Sequence, residues 1–302
     1  MFQGSIVALV TPMHEDGTVD EAALADLVEF HIEAGTDGIV AVGTTGESAT
    51  LSVPEHAEVI KRVVAVVAGR VPVIAGTGAN ATAEAIELTR HAREVGADAA
   101  LLVTPYYNKP SQRGLVEHFR AVARAVELPQ ILYNVPSRTA LDMAPDTTAT
   151  LSREPNIVGI KEAFGDPARI RHLVECCEPG FVVLTGDDAT AMESVLAGAR
   201  GDISVTANVV PAEMHAMCTA ALAGDRARAE AIEARIGALH RALFVESNPI
   251  PVKWSLEQMG RIGPGIRLPL TPLDPLHHDA VRTALRQAGC LAAPTEPVLT
   301  AS

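Results

Sequence analysis

The chain has 302 residues, 48% hydrophobic and 20% charged, enough apolar material for one large domain or two ordinary ones and unlike a disordered chain. Twenty-four Lys and Arg against 37 Asp and Glu leave a net charge of −13, which argues against a nucleic-acid or anionic-membrane partner, since both demand a basic face. No apolar run approaches the roughly 18 residues needed to span a bilayer, and the stretch from Met1 to Met13 lacks the basic start of a signal peptide.

Short β-rich runs recur along the chain at 5–10, 37–42, 71–75, 98–103, 129–133, 156–161, 181–185 and 201–205. Their starts lie 20 to 34 residues apart, room for a strand, a helix and two short loops in each unit. Between the first two runs, Asp20 can cap a helix whose Leu24, Leu27, Val28 and Ile32 share a face, with Gly35 ending it. After the second, Ser52-Val53-Pro54-Glu55 has capping-box spacing and leads into the stripe Val59, Ile60, Val63, Val64 and Val67. Eight such units predict a (β/α)₈ TIM barrel. A doubly wound sheet is the alternative, but no GxGxxG follows the first strand. Past residue 224 the rhythm changes to helix without strand, so residues 1–224 read as the barrel and 225–290 as a C-terminal helical appendage, with helices over 225–245, 250–260 and 276–289. Residues 291–302 read as a frayed tail.

The charge imbalance is local: residues 1–60 hold 11 acids and no Lys or Arg. The four cysteines, Cys176, Cys177, Cys218 and Cys290, show no CxxC spacing, and two are adjacent, which suits neither a simple disulfide nor a zinc site. A reduced cytoplasmic enzyme is the expectation.

A barrel carries its chemistry at the C-terminal ends of its strands. There the sequence reads Gly43-Thr44-Thr45-Gly46-Glu47, Gly76-Thr77-Gly78, Thr104-Pro105-Tyr106-Tyr107-Asn108, Tyr133-Asn134, Lys161-Glu162, Gly186-Asp187-Asp188 and Thr206-Ala207-Asn208. Only four lysines occur: Lys61, Lys109, Lys161 and Lys253. Lys61 falls mid-helix beside Arg62 on a solvated face, Lys109 sits in a loop before Pro110, and Lys253 near a helix start suits pairing with a neighbouring acid. Lys161 ends the apolar run Ile157-Val158-Gly159-Ile160, and strand alternation puts it on one face with Ile157 and Gly159. If that face lines the barrel, desolvation at the mouth disfavours the ammonium and leaves an amine nucleophile. From position alone, that reading and a structural ion pair with Glu162 or a neighbouring carboxylate are equally good.

Tyr133 ends the preceding strand with the same parity. A phenol beside a lysine can hydrogen-bond the amine and shuttle protons, although a tyrosine buried with its hydroxyl satisfied is the plainer account of that residue alone. Thr44 and Thr45 sit in a Gly-flanked loop able to hold a small carboxylate, or simply a turn. Arg138, five residues beyond Tyr133, can bind a carboxylate in bidentate fashion.

Together these residues resemble the dihydrodipicolinate synthase/N-acetylneuraminate lyase family of class I aldolases. The resemblance rests on Gly43-Thr44-Thr45-Gly46-Glu47, on the stretch from Tyr133-Asn134-Val135-Pro136-Ser137-Arg138-Thr139 to Asn156-Ile157-Val158-Gly159-Ile160-Lys161-Glu162, and on Asn248-Pro249-Ile250-Pro251-Val252-Lys253-Trp254. It covers roughly residues 1–290. It implies that Lys161 forms a Schiff base with pyruvate. It implies a proton relay of Tyr133, Thr44 and Tyr107, the last from a neighbouring subunit. Thr45, the Ile203 backbone and Gly186 would hold pyruvate, and Arg138 the carboxylate of L-aspartate 4-semialdehyde. The implied reaction is the condensation of these two substrates to 4-hydroxy-tetrahydrodipicolinate, on the route to lysine and diaminopimelate, in a homotetramer of tight dimers. Neither a metal nor pyridoxal phosphate is required, and no metal-ligand cluster is visible among the ten histidines.

The scaffold serves several aldolases, so an N-acetylneuraminate lyase or sugar-acid aldolase is the alternative. Thr44-Thr45 and Arg138 favour the synthase branch. A catalytically silent barrel is the remote alternative of another class. Lysine-inhibited members of the family carry an amino-acid site at the tight-dimer cleft, and the matching positions are Ser48, Ala49, His56, Asn80, Glu84 and Tyr106. Val53 departs from that pattern, standing where those members have a histidine, so the resemblance implies weakened L-lysine inhibition rather than none.

Overall fold

A computed structural model describes residues 2–292. Eight strands, β1 (Gly4–Ala8), β2 (Gly38–Ala41), β3 (Val73–Gly76), β4 (Ala99–Val103), β5 (Gln130–Asn134), β6 (Ile157–Glu162), β7 (Val182–Thr185) and β8 (Gly201–Ser204), pair in parallel and in sequence order. The barrel closes where Ile6 of β1 pairs with Ile203 of β8. Each strand overlaps one of the eight expected runs, and closure of the barrel excludes the doubly wound sheet.

Two apolar layers follow from the two-residue strand period. The inward set fills the barrel with Phe2, Ile6, Val40, Ile74, Leu101, Ile131, Tyr133, Leu184 and Ile203. The outward set meets the helices, as Ile39, Leu102, Leu132 and Ile160 do. Burying these side chains supplies about 1.5–3 kcal/mol apiece before entropy is counted.

The helix Glu21–Glu33 starts at Asp20, whose carboxylate accepts from Ala23 N at 3.0 Å. Its buried face is Leu24, Leu27, Val28 and His31, and the expected Ile32 is only half-buried. Positions i, i+3, i+4 and i+7 center the stripe on residue 31 and leave 32 at its edge. The helix Val53–Val67 carries the full Ser52/Glu55 capping box, and Val59, Ile60, Val63 and Val67 are buried.

Beyond β8 the helix Pro211–Leu222 covers the barrel. The helices Arg226–Ala242, Ile250–Gln258 and Pro275–Gln287 follow without a strand. Ile236, Leu239, Val252, Trp254 and Val281 from these helices join the same outer core. Residues 293–302 of the expected tail lie outside the described residues. No described helix is long and apolar enough to cross a membrane.

Candidate active site

The register of β5 against β6 sets Tyr133 opposite Lys161 and Asn134 opposite Glu162. Alternation then sends the two pairs to opposite faces. Tyr133 and Lys161 point into the barrel mouth, 7% and 5% exposed, with Nζ 4.4 Å from the phenol ring centroid. Glu162 faces the helices instead. There it accepts from Asn134 Nδ2 at 3.1 Å, Phe164 N at 3.0 Å and Arg169 Nε at 2.9 Å. Burial pushes the Glu162 carboxyl up from its ordinary value, while Arg169 and the hydrogen bonds pull it back. The Lys161–Glu162 ion pair therefore does not form. Lys161 has no ion-pair partner and its amine no hydrogen bond among the described residues, which leaves the nitrogen lone pair or proton for a ligand.

Gly186, just past β7, makes room for that side chain. A Cβ there would overlap Lys161 Cε. A cavity of about 560 Å³ opens above the amine, lined by Thr44, Thr45, Tyr133, Arg138, Lys161, Gly186 and Asn248 among others. Phe244 stands at its rim, 46% exposed. Thr44 and Tyr133 line the same cavity without a direct hydrogen bond between them among the described residues.

The loop from Gly43 to Glu47 is a tight turn in which Gly46 N donates to Gly43 O at 3.0 Å and Glu47 adopts φ 57°. Its far end is nailed down by a buried ion pair between Glu47 and Lys253. Arg267 N donates to Glu47 at 3.2 Å, and the Arg267 guanidinium grips Glu55 at 2.6 and 3.1 Å. Burial holds the Lys253 ammonium below its ordinary pKa, and Glu47 offsets part of that. Lys253 thus pairs an acid, but Glu47, 206 positions away, rather than the neighbouring one expected. Lys61 pairs Glu58 on an exposed face, and Lys109 lies in a loop with φ 45°.

Two contacts bring the C-terminal region to the cavity. Asn248 Nδ2 donates to Thr45 Oγ1 at 3.0 Å, and Arg138 Nη2 donates to Asn248 O at 3.2 Å. Asn248 was quoted above only as part of a motif. Its role has no local signal, because its partners are 203 and 110 residues away.

Tyr107 is 91% exposed and does not line the cavity. A single chain does not bring it to Lys161. Ile203 packs in the interior layer and is not among the lining residues, whereas Val205 is.

A second cavity of about 660 Å³ adjoins the first, and Thr44, Arg138 and Asn248 line both. It gathers Ser48, Ala49, Val53, His56, Glu84 and Tyr106. Asn80 does not line it, although its carbonyl accepts from Asn108 Nδ2 at 2.8 Å. His56 Nε2 meets Gly76 O at 2.9 Å, so that nitrogen carries the proton, and burial lowers the ring's pKa. Burial and the nearby Glu84 raise the Tyr106 hydroxyl.

The sequence profile of the dihydrodipicolinate synthetase family matches residues 1–288. The chain belongs to that family. It is 67% identical over 289 residues to the 4-hydroxy-tetrahydrodipicolinate synthase of Thioalkalivibrio sulfidiphilus, covering 96% of this chain and 98% of that protein. The family fold is shared with the crystal structure of the chloride-inhibited dihydrodipicolinate synthase from Acinetobacter baumannii complexed with pyruvate. That structure has a TM-score of 0.95 and 56% identity, over 96% of this chain and all of that one. A family structure from Cyanidioschyzon merolae, solved with lysine bound, has a TM-score of 0.92 and 40% identity, over 96% of this chain and 99% of that one.

Proposed function

We infer that this chain is a Schiff-base lyase that condenses pyruvate with L-aspartate 4-semialdehyde to 4-hydroxy-tetrahydrodipicolinate, a step of lysine and diaminopimelate biosynthesis. One observation carries the reading. Lys161 stands buried at the barrel mouth, unpaired and in contact with the Tyr133 ring, in a chain of this family.

The chemistry runs through the lysine amine. It adds to the ketone of pyruvate, and loss of water leaves an iminium that withdraws electrons from the methyl carbon. Loss of a methyl proton gives an enamine, whose carbon attacks the aldehyde. The product ring contains the nitrogen of the second substrate, so that amine replaces Lys161 at the former ketone carbon and frees the enzyme. Tyr133 and Thr44, hydroxyls on one cavity, serve as proton carriers in this scheme. Thr45, Gly186 and the Ile203 backbone take the pyruvate carboxylate, and Arg138 takes that of the semialdehyde.

Tyr107 completes the relay from a neighbouring subunit. Its near-complete exposure on one chain fits a homotetramer of tight dimers. The second cavity, with Ser48, Ala49, His56, Glu84 and Tyr106 on its walls, is the place for L-lysine as an inhibitor. Val53 offers no polar partner there, so binding is weakened by about 1 kcal/mol, roughly fivefold. A lysine titration to tens of millimolar that changes neither rate nor binding heat eliminates this site.

Borohydride reduction in the presence of pyruvate tests the main reading. A reduced pyruvyl group should appear on the peptide containing Lys161, and Lys161→Ala should lose turnover. Labelling elsewhere, or consumption of N-acetylmannosamine in place of aspartate semialdehyde, refutes it.

A further inference from the structure

Asn248 sits between the helices Arg226–Ala242 and Ile250–Gln258, outside the barrel strands, and the residue is 5% exposed. It touches both groups assigned to substrate carboxylates, but by different atoms. The side-chain amide donates to Thr45 Oγ1, and the backbone carbonyl accepts from Arg138.

The direction of the first bond matters. A hydroxyl that accepts from an amide keeps its own proton for another acceptor. Thr45 is buried and lines the cavity, and its hydroxyl donates to no acceptor among the described residues. Its proton is thus available to an anion in the cavity. An aspartate at the same position would do the reverse, taking the Thr45 proton and adding a negative charge beside the anion.

We propose that Asn248 is a positioning residue that makes Thr45 a fixed hydrogen-bond donor to the pyruvate carboxylate, while its backbone carbonyl independently sets Arg138. This rests on the reading of Thr45 as a pyruvate-carboxylate group. A side-chain substitution removes the first link and leaves the second. The consequence is an asymmetry between the two substrates that a general disturbance of the segment would not produce.

The test compares Asn248→Ala, Asn248→Asp, Thr45→Val and the Thr45→Val/Asn248→Ala double variant, each with KM measured for pyruvate and for aspartate semialdehyde. Asn248→Ala should raise the pyruvate KM about threefold to tenfold, the range for one lost hydrogen bond. Asn248→Asp should raise it further, about tenfold to a hundredfold, as the bond reverses and a like charge is added. The semialdehyde KM should stay within about threefold in both. The double variant should be no worse than Thr45→Val, because Asn248 acts through Thr45. Equal rises for both substrates, a weaker effect of Asp than of Ala, or full additivity with Thr45→Val overturns the proposal. If Thr45→Val itself leaves the pyruvate KM unchanged, the reading of Thr45 fails, and the proposal with it. If Thr45→Val raises that KM and the Asn248 variants do not, only the proposal fails.

Discussion

Replacing Lys253 by Met removes one charge of a pair in which the lysine side chain is 5% exposed and that of Glu47 is fully buried. Met keeps most of the stem volume, so the loss is the charge rather than the packing. Breaking a buried pair from one side costs about 3–5 kcal/mol, because the surviving ion has neither water nor partner. Glu47 retains one neutral donor, Arg267 N at 3.2 Å, which places the expected loss near the lower end, about 3 kcal/mol. In thermal unfolding of a chain of 302 residues this corresponds to a Tm drop of roughly 5 °C. The double variant Glu47→Gln/Lys253→Met removes both charges and should recover much of that loss, since a buried amide costs less to desolvate than an unpaired carboxylate. Thermal and urea unfolding at pH 7 measure both proteins. Glu47 ends the turn that carries Thr44 and Thr45, so the single variant should also raise the pyruvate KM at a temperature where it is folded. A single-variant loss below about 1 kcal/mol, the scale of an exposed pair, would refute the reasoning. So would a double variant less stable than the single one.

Arg138→Ala should raise the KM for aspartate semialdehyde roughly tenfold to a hundredfold and that for pyruvate far less, the effect of a lost charge-assisted contact; equal changes in steady-state kinetics would count against it. Gly186→Ala should keep the fold, because the residue has no positive φ, yet lower kcat about tenfold or more as the new methyl displaces Lys161 Cε. An unchanged rate of borohydride trapping would contradict that collision. His31 is fully buried, and burial, with Arg261 adding to it, holds its pKa down to about 3 from an ordinary 6.5. Between those values only the unfolded chain takes the proton, so stability is complete above pH 6.5 and falls as pH drops, by about 2 kcal/mol at pH 5. His31→Asn, whose amide can still meet Thr36, should remove that part of the difference between urea unfolding at pH 7 and pH 5; an unchanged difference would show that His31 does not titrate in this way.

The barrel and the inward-facing position of Lys161 were legible in the chain because both depend on local periodicity. A two-residue alternation within 157–161 puts Lys161 on the face of Ile157 and Gly159, and eight β-rich runs at near-regular spacing suffice to predict closure. The same alternation places Glu162 on the opposite face, where Arg169 and Asn134 hold it. The capping box at Ser52 and Glu55 is equally local, three residues wide. The partners of the site loop are not. Glu47 meets Lys253 across 206 positions, and Thr45 meets Asn248 across 203. Those distances reflect how the C-terminal helices dock against the barrel mouth, which is fixed by the shared apolar core of Ile236, Leu239, Val252 and Trp254 and not by any spacing near the strands. Tyr107, four residues past strand β4 in sequence, adopts φ 72° and is 91% exposed on a single chain. Hydrophobic period is written every two to four residues, but the pairing of charges and amides depends on which distant surfaces meet.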